Sequence, residues 1–210
     1  MHPKRPSLVA AVAQGWFAGP LLFTALVSPA VEALTEQSLV VHHLAHWLMV
    51  VAGALFGYQF RELLRLPGTA LIAWAGLGAA LLWHLPPLLS WAEADRTAHM
   101  FAHATLLVGG GAMGWAVPNV SSPAKAYLFI TANVVMWPLV LAELAGAFTY
   151  AGYPGQAPAV GVAELVAMSS SWLVLAVWGP LHRLCSSSVA SPMLQVLLAV
   201  VVIVGWAAPL

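Results

Sequence analysis

Seven stretches of about twenty apolar residues run almost end to end along the chain, at 8–30, 38–60, 69–90, 96–117, 126–149, 157–180 and 191–209. A hydrocarbon layer about 30 Å thick needs roughly 20 apolar residues in helical form, because lipid offers no partner to a free backbone group. Each stretch therefore reads as one transmembrane helix. Only 7% of the residues are charged against 61% hydrophobic, whereas a soluble domain carries about 25% charged residues. The expectation is an all-α, polytopic membrane bundle of about seven helices forming one domain over residues 1–210. The first stretch follows Lys4 and Arg5 and precedes Val31-Glu32-Ala33, which also fits a secretory signal. Its length favours a span.

The segments between the spans carry turn chemistry: Arg65-Leu66-Pro67-Gly68, Pro118 to Pro123, Gly152-Tyr153-Pro154-Gly155 and Ser186-Ser187-Ser188. Lysine and arginine gather on the cytoplasmic side of membrane proteins. Seven spans place Lys4, Arg5, Arg61, Arg65, Lys125 and Arg183 on one side and only Arg96 on the other. The amino terminus is thus expected in the cytoplasm, with Glu32, Glu36, Glu93 and Asp95 outside. Acidic and basic residues balance at 7 each, so no basic surface invites nucleic acid. The one cysteine, Cys185, can form neither an internal disulfide nor a cysteine metal motif.

This topology orders the histidines. His42, His43 and His46 fall early in the second span, His84 late in the third, and His99 and His103 early in the fourth. At 1.5 Å per residue, His46, His84 and His103 each lie roughly 9 to 12 Å below the outer end of their spans, with His42 and His99 one turn above. Glu143 and Glu164 come at a similar depth in spans five and six. Residues four apart share a helix face, so His42/His46 and His99/His103 each direct two imidazoles to one side. Ionisable groups in lipid are costly and usually mark function, and imidazole is the common ligand for copper, zinc, iron and nickel. His42, His46, His84, His99 and His103 are the candidate metal ligands.

His43, one place round from the first pair, is a supporting residue or a structural or headgroup contact. For Glu143 and Glu164 the roles are acceptors fixing imidazole tautomers, direct ligands, a proton route, or bonding between helices. Met49 and Met100 lie beside His46 and His99, where a thioether suits Cu(I), and also read as ordinary apolar residues. Gly109-Gly110-Gly111 either permits close helix packing or makes room for a flat prosthetic group. Pro86-Pro87 should break the outer end of the third span. Tryptophans near span ends, Trp16, Trp91, Trp115, Trp178 and Trp206, read as an interfacial belt.

Three elements in order on successive helices resemble the CtaG-like family: Val41-His42-His43-Leu44-Ala45-His46-Trp47-Leu48-Met49, then Trp83-His84-Leu85-Pro86, then His99-Met100-Phe101-Ala102-His103. Those are multi-span proteins linked to assembly of haem-copper cytochrome c oxidases and thought to handle copper. The resemblance covers residues 38–118 well and 127–178 only in outline. It implies a copper-binding, non-enzymatic protein of the cytoplasmic membrane. Such a protein would take copper from the periplasmic side and help metallate a respiratory oxidase or a related copper enzyme. Departures from the family pattern are the short chain, the extra His43, and a polar start of span six reduced to Glu164. From the residues alone other readings stand beside it: a haem b electron-transfer subunit, a zinc site, an accessory subunit of a membrane copper oxidase or monooxygenase, and a copper-dependent membrane enzyme.

Overall fold

The computed structural model describes residues 17–61, 68–150 and 152–185. Every regular element among them is helical: α1 (Ala18–Leu26), α2 (Pro29–Gln37), α3 (Leu39–Gln59), α4 (Thr69–Leu82), α5 (Pro86–Ala94), α6 (Arg96–Ala116), a 3-10 turn (Val117–Asn119), α7 (Ser122–Leu144) and α8 (Ala157–Cys185). Three of these pieces, α3, α6 with its 3-10 turn, and α7, are long and apolar enough to cross a membrane. The number rises to five if the bent pairs α1/α2 and α4/α5 each count as one span. The protein is a helical bundle suited to membrane association. The seventh expected span and most of the first half of the first lie outside the described residues.

Both bends have one local cause. A residue that precedes proline is pushed out of the helical region by the proline ring. Ser28 before Pro29 and Leu85 before Pro86 are accordingly extended, with ψ of 148° and 126°. Each proline then opens the next helix, where its missing N–H is not needed. The chain turns by 56° at the first break and 68° at the second. Pro86 acts as its sequence position predicts. The break at Ser28-Pro29 departs from expectation, since it divides a stretch that reads as one span to residue 30.

α3 and α6 form the central pair. Each begins on a side-chain cap that relieves a free backbone N–H: Ser38 Oγ accepts from Val41 N at 3.4 Å, and Asp95 Oδ1 accepts from Ala98 N at 2.7 Å. In both helices the first histidine of the HxxxH pair lies four residues after the cap and the second eight after it, at His42/His46 and His99/His103. Lower down, glycines let the two backbones touch. A Cβ on Gly110 would stand 2.1 Å from Val50 O, on Gly53 2.0 Å from Leu107 O, and on Gly114 2.0 Å from Ala54 O. On its other side α6 meets α4, where a Cβ on Gly76 would lie 2.6 Å from Gly109 O. Of the two readings of Gly109 to Gly111, close packing is the one observed.

The main apolar cluster, including Ala45, Met49, Val50, Trp83 and Leu106, ties α1, α3, α4 and α6 together. Trp115 is buried in a second cluster with Ala73, Leu77 and Leu128, so it departs from the interfacial role its position suggested. The loop after α7 folds back over the start of α3. There Gln156 Oε1 accepts from Leu39 N at 2.8 Å, and Tyr150 and Tyr153 are buried against Leu39 and Leu89.

Candidate metal centre

The parallel course of α3 and α6 sets the two HxxxH pairs face to face. Within α3 the rings of His42 and His46 have centroids 4.3 Å apart, and within α6 those of His99 and His103 are 4.1 Å apart. Across the helices His46 meets His103 at 5.5 Å and His42 meets His99 at 5.9 Å. His84, at the break between α4 and α5, joins from a third side, 6.0 Å from His46 and 5.5 Å from His43. All five expected ligands are thereby brought into one layer, and His43 enters it as well. Two imidazoles on one tetrahedral ion, each with a nitrogen about 2 Å from the metal, have ring centroids about 5 Å apart. The observed spacings are near that value.

The ring nitrogens are more telling than the ring spacings. His42, His43, His46 and His84 are at most 3% exposed and His103 is 7% exposed. His43 Nδ1 lies 3.0 Å from Leu39 O and His84 Nδ1 lies 2.8 Å from Ala80 O. A carbonyl only accepts, so in both rings Nδ1 carries the proton and Nε2 presents a bare lone pair. Those two Nε2 atoms are buried with no hydrogen-bond partner, as are both ring nitrogens of His46 and His103 Nδ1. Each unsatisfied buried polar group costs about 1 to 3 kcal/mol. A backbone carbonyl that fixes the tautomer and aims the other nitrogen is the usual arrangement around metal-bound histidine, and the donor set fits a nitrogen-preferring metal ion. The indole of Trp47 stacks on His84 at 4.5 Å and holds the ring plane.

Residues that the spacing did not single out complete the layer. Glu93 on α5 lies 3.3 Å from His42 Nε2 and 3.5 Å from His99 Nδ1. Glu32 on α2 approaches His99 Nε2 at 3.8 Å. Ligand atoms of Glu32, His99 and His103 all lie within 4.8 Å of one another, as a shared ion requires. Tyr153 sits above His42, with its hydroxyl 2.7 Å from Thr35 O, 3.1 Å from Glu93 Oε2 and 3.2 Å from His42 Nδ1. These residues come from segments that bend over the layer at Pro29 and Pro86 or from the loop after α7. Their only sequence signal was an acidic, tyrosine-bearing set of loops on the expected outer side.

Glu143 and Glu164 are both buried, yet neither makes a hydrogen bond to an imidazole. Glu143 accepts from the Tyr150 hydroxyl at 2.5 Å, and Glu164 lies beside it. Gly161 seats α8 so closely that a Cβ there would stand 3.1 Å from Glu143 Cβ. The Tyr150 ring, 6.0 Å from that of His43, is the link between this pair and the histidines. Met49 is buried one turn below His46, and Met100 is 58% exposed and takes no part in the layer. An apolar cavity of about 720 Å³ lies lower still, lined by Gly19, Phe23, Gly53, Phe56, Gly57 and Gly111 among others, with no imidazole in its wall.

A family model described as "Protein of unknown function (DUF1404)" matches residues 17–169, which hold every side chain of the histidine layer and the first part of α8. The chain belongs to this family. No curated protein and no solved structure matches it.

Proposed function

We propose that this DUF1404 protein binds copper from the outer side of the cytoplasmic membrane and assists the metallation of a haem-copper respiratory oxidase or a related copper enzyme. The observation that carries the reading is the set of buried, unpartnered imidazole nitrogens converging from α3, α6 and the α4/α5 break. Folded proteins rarely leave such groups unpaired, and a metal ion is the partner that satisfies several lone pairs at once. His42, His46, His84, His99 and His103 supply the ligands. His43 joins them through Nε2, and Glu143 and Glu164 support His43 through Tyr150.

Seven spans with a cytoplasmic amino terminus are part of the proposal, since the lysine and arginine bias then sets the histidine layer toward the periplasm. The resemblance to CtaG-like proteins favours copper over zinc, which the same ligands also accept. It also favours a role in copper delivery over catalysis. For haem b, the glycines that could have made space are in contact with other helices, and the apolar cavity has no axial ligand to give. The reading thus prefers a bare metal ion.

Metal analysis of the purified protein beside a His46→Ala/His103→Ala double variant tests this. Wild type is expected to carry copper and the variant to lose it. Equal copper in both, or a haem Soret band in the wild type, would overturn the reading.

A further inference from the structure

The histidine layer has two chemically different ends. His84 and His43 are buried, with Trp47 over the ring of His84. Glu32, by contrast, has a side chain 49% exposed, and that of His99 is 22% exposed. Between these ends His103 is 7% exposed, with a buried, unpartnered Nδ1. From Glu32 through His99 to His103 the ligands pass from solvent to interior within one ion's reach. His103 is then in ring contact with His46, and His46 with His84.

From this gradient we infer that Glu32, His99 and His103 form a solvent-facing metal station, separate from the buried end at His84 and His43 while sharing His99 and His103 with the full ligand set, that loads the buried imidazoles by exchange through His103. The inference rests on the copper-binding reading and deepens it. A hydrated cation cannot enter a buried set of imidazoles without losing its water. A set of one carboxylate and two imidazoles that opens to solvent at its carboxylate end can exchange water ligands one at a time and keep some of them. Glu93 and Glu36 add negative charge beside His99, and a cleft lined by one sign of charge raises the local concentration of the opposite ion.

The break at Ser28-Pro29 is what delivers Glu32. A straight continuation of α1 would carry residue 32 along the bundle instead of across its end, whereas the 56° turn lays α2 over the opening. The ligand at the port therefore comes from an element that contributes nothing to the buried set.

The test uses the full chain in lipid nanodiscs mixed with aqueous Cu(II), with tryptophan quenching followed by stopped flow. Trp47 on His84 reports arrival at the buried end, and the phase assigned to it is the one absent from Trp47→Phe. Glu32→Gln is expected to slow this phase by about tenfold or more and to remove one weakly held ion, leaving the amplitude of the Trp47 signal unchanged. Glu32→Asp should recover part of the rate. If Glu32→Gln loads as fast as wild type, or loses rate and amplitude together, the separate station is wrong while copper binding stands. A wild-type protein that takes up no copper overturns both proposals.

Discussion

His43 and His84 meet edge to face with ring centroids 5.5 Å apart, and each donates its Nδ1 proton to the carbonyl four residues back in the chain. The two rings are held in the same tautomer by backbone, so their free Nε2 atoms do not depend on any other side chain. Substitution His84→Ala should therefore lower copper affinity by at least about tenfold, as loss of an oriented ligand does. Chelator competition measures it. His43→Ala should give a smaller loss, because its ring meets those of His84 and His42 and lies off the face shared by the two HxxxH pairs. Unchanged affinity in His84→Ala would remove that imidazole from the site.

The contact of α3 with α6 sets the distance between His46 and His103, although the glycines that make it lie well below them. Gly110→Ala forces a methyl to within 2.1 Å of Val50 O, a contact with backbone that no rotamer change relieves. The helices must separate, and both thermal stability and copper content are expected to fall. Gly78→Ala is the control: a Cβ added there would meet no neighbouring element within 4 Å, and alanine is the better helix former by about 1 kcal/mol. That variant should match or exceed wild type in both measurements.

The histidine layer was legible in the sequence because helical periodicity and span direction are enough to assign a depth and a face. His42, His46, His99 and His103 needed nothing else. Glu32 and Glu93 escaped because their places depend on bend angles at Ser28-Pro29 and Leu85-Pro86, and a proline marks a break without stating where the next helix goes. The tyrosines escaped for a similar reason. The loop between α7 and α8 has no period from which to read that Tyr153 returns to His42. Trp115 shows the limit of a belt rule, since its place near a helix end did not keep it out of the core formed with α4 and α7.

Tyr153 joins three chain segments through one hydroxyl. Burial pushes its ionisation well above the ordinary phenol range, and the negative charges of Glu93 and Glu36 push it the same way. A raised pKa keeps the proton on at neutral pH in the metal-free protein, and there the hydroxyl is a neutral donor already committed to Thr35 O, Glu93 and His42. Cu(II) addition is expected to produce no phenolate-to-copper charge-transfer band at neutral pH. Tyr153→Phe should leave copper stoichiometry intact while lowering stability by about 1 kcal/mol, the worth of a hydrogen bond whose acceptors are part-exposed. A charge-transfer band lost in Tyr153→Phe would instead make the tyrosine a ligand.

Glu143 and Tyr150 offer a sharper discrimination between support and ligation. The Tyr150 hydroxyl occupies Glu143 Oε1, while the carboxyl of Glu164 lies beside that of Glu143 and is the remaining partner of the pair. Tyr150→Phe removes that donor and should cost about 1 to 3 kcal/mol, the penalty for a buried acceptor left unpaired. Glu143→Gln keeps an oxygen for Tyr150 and brings an amide that can donate toward Glu164, so it should be as stable as wild type or more so. Because neither carboxyl hydrogen-bonds an imidazole, Glu143→Gln is also expected to hold copper as wild type does. Denaturation midpoints that fall from Glu143→Gln through wild type to Tyr150→Phe, with equal copper in the first two, fit a pair that supports His43 through Tyr150 alone. Copper lost in Glu143→Gln with stability retained would make the carboxylate a direct ligand.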